Sequence, residues 1–262
     1  MKNIKLFVVS LLAMLNEFLF DYQVRTGMIL SALPSLAEAK HMSTTGAGLE
    51  GIRQSLYDTL LYPAAGQAQL GFFALPQNQG VSCATGVAAN SPKSIADTNI
   101  TNAGMLPAGK AFLMTSIEAC FYAGSAAVAN QFTLSSPVVF AAVAAAALEA
   151  QAADVNTFYM SGSLQLYISS KVCLEEAPLM RFPPKAQMDI DGAIASNSAT
   201  TASIGTVQAR AKGRPYMLEP QIYLEPSVNF SVNVNYPVVV PMPSGFNGKV
   251  QMILDGYLYR LG

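Results

Sequence analysis

Residues 228–236 alternate without a break: Val228, Phe230, Val232, Val234 and Tyr236 fall on one side, and Asn229, Ser231, Asn233 and Asn235 on the other. A strand turns successive side chains to opposite faces, so this run is a β-strand with one buried face and one polar face. A second such run lies at 163–171, where Leu164, Leu166 and Ile168 alternate with Gln165, Tyr167 and Ser169. Further strands are expected at 56–62, 69–75, 110–122, 186–190, 215–224, 228–240, 249–254 and 257–261. Glycine- and proline-bearing turns such as Pro63-Ala64-Ala65-Gly66 separate them. Asp255-Gly256 is read as a tight hairpin turn in preference to a bend in one long strand. Residues 191–206 carry too few large side chains to be assigned. The spacing predicts a mainly β body, a sandwich or barrel, with one inserted alanine-rich helix. That helix is expected from Pro137, capped by Ser136, through 141–148 to about Asn156.

The chain divides into a helical arm at 1–42, a flexible linker at 43–54 rich in Gly, Ser and Thr, and a body at 55–262. In the arm, Lys2 and Lys5 precede an apolar run at 6–15 that falls short of the roughly 20 residues needed to span a bilayer. Asn16 and Glu17 interrupt the pattern of a secretory signal, and the small-x-small sequence Ala37-Glu38-Ala39 lies far downstream. A retained helix is therefore expected. Leu6, Phe7, Val8, Leu11, Leu12, Leu15, Phe18 and Leu19 are its candidate contacts with a neighbouring subunit or a membrane surface.

Only 12% of residues are charged, against roughly 25% in ordinary soluble domains. Apolar types reach 52%. A surface this poor in charge is expected to be covered by other subunits or by lipid. The net charge is −1, and no basic cluster is stronger than Arg210, Lys212 and Arg214, so strong direct nucleic-acid binding is not expected. His41 is the only histidine and sits at the arm's end, which leaves little for a nucleophilic triad or a metal site. Cys83, Cys120 and Cys173 are far apart and read as buried free thiols. Glu175 and Glu176 point to opposite faces of a strand, while Asp189 and Asp191 share a face if their strand continues. With no tryptophan to line a sugar cleft, these carboxylates read as solvated strand ends. No catalytic residue, cofactor or metal is expected.

Several phrases carry a resemblance. Tyr57-Asp58-Thr59-Leu60 leads to Tyr62-Pro63-Ala64-Ala65-Gly66-Gln67, followed by Ala96-Asp97-Thr98-Asn99 and Leu106-Pro107-Ala108-Gly109-Lys110. The second half adds Glu176-Ala177-Pro178-Leu179, Arg181-Phe182-Pro183-Pro184, Gly213-Arg214-Pro215-Tyr216 and Leu254-Asp255-Gly256 before Tyr259-Arg260. In order and turn composition, residues 56–260 resemble the major capsid proteins of small tailless icosahedral bacteriophages. The resemblance implies a jelly roll and self-assembly into an icosahedral capsid, with location in the virion after assembly in the host cytoplasm. Copies of itself, minor capsid or penton proteins and an internal lipid membrane are the implied partners. The family's prototypes often carry two rolls per chain; the length here favours one, with a double roll as the alternative. Two other readings stand beside it. One is a secreted or surface β-sandwich of the adhesin or pilus type, with residues 1–20 as its signal. The other is a tailed-phage capsid of mixed α/β fold, for which the alanine-rich helix would have to be the spine.

Overall fold

The computed structural model describes residues 49–84, 88, 90–124, 145–185, 187–196, 201–210 and 213–261. The arm at 1–42, with its eight apolar candidates and His41, lies outside the described residues, as do 43–48 of the expected linker. The fold is mainly β, 46% strand and 9% helix, with curled antiparallel sheets forming a half-barrel.

The first sheet is built around its last strand. β11 (Gly248–Leu261) has β4 (Lys110–Tyr122) along one edge, and on the other edge β2 (Leu56–Tyr62) followed by β1 (Leu49–Arg53). β9 (Tyr216–Leu224) adds to the far side of β4. β1 and β2 thus act as one edge strand, interrupted where Gln54 N–H donates to the Gly256 carbonyl at 3.2 Å. The second sheet runs β3 (Gln69–Phe72), β10 (Phe230–Asn235), β5 (Ser163–Ile168), β6 (Lys171–Glu176). β7 (Gln187–Ser196) and β8 (Thr201–Arg210) form a two-stranded ribbon of their own.

The alternation of β10 works as its sequence requires: Phe230, Val232, Val234 and the following Tyr236 are buried. They meet Leu70 and Phe72 of β3 and Leu164 and Leu166 of β5 in one core with Tyr62, Met114, Ile117, Met252 and Leu254 of the first sheet. Each such side chain contributes roughly 1.5–3 kcal/mol relative to exposure. The helix α1 (Ala145–Ser161) closes one mouth of this core. Phe158 stacks on Phe121 at 4.6 Å between centroids and meets Tyr62 edge-on at 6.2 Å, while the Tyr159 hydroxyl donates to the Ala119 carbonyl at 2.8 Å. Gly162 turns the chain from helix to β5 where a Cβ would lie 2.4 Å from Leu179. The expected cap at Ser136 and Pro137 lies outside the described residues, and the helix runs past Asn156 to Ser161.

Four expectations are corrected. Asp255-Gly256 is a bulge within one long strand, because β4 continues alongside on both sides of it. Residues 49–53, read as flexible linker, are strand β1; the open backbone edge of β11 needs partners, and one of the glycines that suggested a linker, Gly51, instead makes room for the Tyr259 ring, which a Cβ there would meet at 3.2 Å. The 228–240 strand ends at Asn235, just before Pro237 removes a backbone donor. The 163–171 strand ends at Ile168 and reverses into β6, with Ser169 at φ 55°. Residues 191–206, left unassigned, fall largely in the ribbon.

Gly256 fixes the bulge: a Cβ there would sit 2.0 Å from the Leu113 carbonyl oxygen. Gly256→Val is expected to lower unfolding free energy by about 3 kcal/mol or more through overpacking and backbone displacement. Urea denaturation checks it; an unchanged midpoint would contradict the bulge geometry.

Candidate functional site

Antiparallel pairing throughout both sheets sends four connections out at one end: 63–68, 123–162, 177–215 and 236–247. They are tied to one another. Tyr236 N–H donates to the Ala68 carbonyl and Met242 N–H to the Ala64 carbonyl, both at 2.9 Å. The Tyr62 hydroxyl donates to the Val240 carbonyl at 2.6 Å, and Ala64 N–H to Asn247 Oδ1 at 2.8 Å. Asp154, fully buried on α1, accepts from both the N–H and the hydroxyl of Ser244. Leu179 N–H donates to the Gly162 carbonyl at 3.0 Å. The described parts of these loops are therefore held to one another.

Two of these connections are free of charge, while 177–185 brings Arg181 and Lys185, each with about half of its side chain exposed. Residues 62–68 and 236–248 contain no Asp, Glu, Lys, Arg or His. Met160 and Met180 are each 54% exposed, Val238 65% and Val239 55%. A shallow cleft of about 390 Å³ lies among Met160, Pro178, Tyr236 and Pro237. These apolar groups stay in water although the core beneath them is filled, which is the pattern of a contact surface.

The opposite end is organised by buried charge. Asp58, 0% exposed on β2, receives the Lys93 ammonium at 2.6 Å, with Lys93 1% exposed. Phe73 N–H donates to the other Asp58 oxygen at 2.7 Å, and Thr59 N–H to the first at 3.0 Å. Burial pushes the Asp58 carboxyl above its ordinary value, opposed by Lys93 and the two peptide donors. Asp97 binds the same loop from within, accepting from Ser82 Oγ, Cys83 N–H, Ser94 N–H and Ser94 Oγ. Burial works to raise the Asp97 carboxyl, but these bonds hold it below its ordinary value. Asp255 at the bulge behaves alike: burial is outweighed by Ser55 at 2.6 Å and Arg53 at 2.9 Å, and its carboxyl is lowered.

The residues weighed for chemistry stay apart. Glu175 accepts from Gln165 Nε2, whereas Glu176 pairs with Arg181 and accepts from the Tyr216 hydroxyl. Asp189 and Asp191 fall on one face of β7, opposite Gln208 and Thr206. Cys83 and Cys120 are buried, their thiols pushed by burial up to about 11 and about 12. Cys173 is exposed, against expectation, because β6 is the edge of its sheet and its burial pattern is open. Among the described residues no group of three or more His, Cys, Asp or Glu could hold a metal ion, and no helix is long and apolar enough to cross a membrane. The buried Asp58–Lys93 pair was missed from sequence; its available signal was a lone carboxylate inside an otherwise apolar strand.

Comparison of the chain with protein-family models, with curated proteins and with solved structures finds no match.

Lys93→Met leaves Asp58 buried without its cation and is expected to cost about 3–5 kcal/mol, read by urea denaturation at pH 7. A loss below 1 kcal/mol would mean the pair is not buried as described. Asp97 supplies stability that is complete above the ordinary carboxylate value of 3.8 and lost as pH falls through its lowered folded value. Asp97→Asn should therefore cost about 1–3 kcal/mol at pH 7 and flatten the acid limb below about pH 4. An acid limb as steep as the parent's would argue against it.

Proposed function

We propose that this chain is the subunit of a self-assembling protein shell, the major capsid protein of a small tailless icosahedral bacteriophage. A single jelly roll is the fold that supports this reading. Counting β1 and β2 as one edge strand and setting the β7–β8 ribbon aside leaves eight strands. Their pairs nest: β2 with β11, β3 with β10, β4 with β9, β5 with β6. A chain folded back on itself as one long hairpin and then rolled gives this nesting, with β11 against β4 and β10 against β5 as the seams. α1 is an insertion between β4 and β5, and the ribbon an insertion between β6 and β9.

A roll alone says nothing about function, since the same architecture serves many ends. The observation that carries the reading is the apolar patch at one end of the roll, where Met160, Met180, Val238 and Val239 are exposed beside the charge-free stretches 62–68 and 236–248. Around a symmetry axis a residue lies close to its own copies, so a charge there meets a like charge and a neutral apolar group does not. The composition of the whole chain, 12% charged, fits the same requirement. On this reading the arm at 1–42 contacts a neighbouring subunit or the surface of an internal membrane, and minor capsid or penton proteins complete the shell. The protein then resides in the virion after assembling in the host cytoplasm.

Full-length protein at micromolar concentration is expected to run as oligomers or particles in light scattering and negative-stain microscopy. Val238→Asp combined with Val239→Asp should reduce the assembled fraction at least tenfold while leaving the thermal midpoint within a few degrees, as both side chains are already in water. A parent protein that is strictly monomeric under these conditions overturns the proposal.

A further inference from the structure

Among the described residues Asp58 and Lys93 form the most deeply buried ion pair: their side chains are 0% and 1% exposed, and Nζ lies 2.6 Å from Oδ1. They come from different parts of the chain, Asp58 from β2 and Lys93 from the long connection between β3 and β4. Both are held from outside the pair. Asn78 N–H donates to the Lys93 carbonyl at 2.8 Å and Lys93 N–H to the Gln79 carbonyl at 3.3 Å, so the lysine backbone is fixed by its own loop. Asp97 grips the next residue, Ser94, through its N–H and hydroxyl, and Thr98 bridges to Asp58 itself. An amine and a carboxyl group fixed at contact distance, with water excluded, are the reactants of an amide bond.

The second oxygen of the carboxylate is also arranged. Phe73 N–H donates to Oδ2 at 2.7 Å, and Phe73 reaches it with φ at 68°, the left-handed region that a bulky side chain rarely adopts. Backbone strain of this kind persists where the surroundings over-determine it, and it gathers at functional positions. A buried donor aimed at a carboxyl oxygen stabilises the negative charge that develops there when the carbon is attacked. Burial pushes the Asp58 carboxyl above its ordinary value, toward the neutral acid, which is the form open to attack.

We propose that Lys93 and Asp58 condense into an isopeptide bond that ties the loop between β3 and β4 covalently to strand β2. In the step, one ammonium proton passes to Oδ1, leaving a neutral amine beside a neutral acid. Nζ adds to Cγ, and the C=O electron pair moves onto Oδ2, against the Phe73 N–H. Oδ1 then leaves as water, taking a second proton from Nζ, and the carbonyl re-forms at Oδ2. One C–N bond forms, one C–O bond breaks, and nothing is oxidised or reduced. Exclusion of bulk water protects the product, since hydrolysis needs a water molecule at Cγ. The tie closes the chain from 58 to 93 in the unfolded state as a disulfide would, but without an oxidant, in a chain whose three cysteines are free.

Intact mass spectrometry of the full chain, purified folded and then denatured, tests this, followed by digestion and sequencing of the peptides. The parent is expected to be lighter than its sequence by the mass of one water, with a branched peptide joining the segments that carry Asp58 and Lys93. Lys93→Arg, which keeps the cation but removes the nucleophilic amine, should show the full sequence mass and no branched peptide. A parent whose Asp58 and Lys93 are recovered in separate, unmodified peptides overturns the inference and leaves the two as a salt bridge. So does a missing water that maps instead to Asp191-Gly192 or Asp255-Gly256, where an aspartate before glycine can close on its own backbone. If Lys93→Arg fails to fold, the parent's peptides decide alone. None of these results bears on assembly, so the shell reading stands or falls separately.

Discussion

The pairing of β11 along both of its edges is the constraint on which the other elements depend. Its fourteen residues take β4 on one side and β2 with β1 on the other, so the last segment of the chain fixes strands that begin some 200 residues earlier. Such contacts close very long loops, and their entropy must be recovered by simultaneous burial of the facing side chains. Val250, Met252 and Leu254 supply that burial on the inner face, while Asp255 and Gly256 bend the strand where β1 gives way to β2. The curl of the sheet follows from this bulge and the matching irregularity on β4 beside Met114 and Ser116, since bulges increase local twist.

What the sequence disclosed follows the physics of period-two burial. β10 and β5 were legible because each has one wet and one dry face. β4 was legible as a strand, but its near-complete burial could not be foreseen from residues such as Glu118 and Ser116, which are covered only once 182–185 and the rest of the fold are in place. β1 was hidden by Gly51, whose role is to make room for an aromatic ring from a strand about 200 residues away. The same blindness to distant partners produced the turn reading of Asp255-Gly256: a carboxylate followed by glycine reads locally as a reversal, and only the unbroken neighbour on β4 makes it a bulge. The ribbon lay in residues too small to show a period in the sequence. Of the candidate surface, the low charge was visible in composition, but the meeting of the charge-free stretches 62–68 and 236–248 was not, since connections far apart in the chain come together there only through the nested pairing.

The two ends of the half-barrel solve opposite problems. At one, a long loop is held to the body by groups that are costly to bury: Asp58 with Lys93, and Asp97 with its four donors. A buried pair of this kind is a weak source of stability compared with an apolar substitute, but it is strongly selective of geometry, because any arrangement that separates the partners strands a charge. At the other end, the connections are joined by hydrogen bonds between peptide groups and neutral side chains, with Asp154 as the buried exception, and they present methionine and valine to the outside. Such rigidity would suit the repeated contact proposed, because loops already fixed lose little freedom on association.

An exposed apolar patch alone would be a liability, since exposed apolar groups and open strand edges invite indiscriminate association. Directional shape is what turns such a surface into a specific one. The cleft beside Met160 and Pro178 provides an asymmetry that a flat apolar patch lacks. On the proposed reading, a neighbour that fills this cleft with neutral groups is favoured over one that would bury an unpaired carboxylate there, a cost of several kcal/mol.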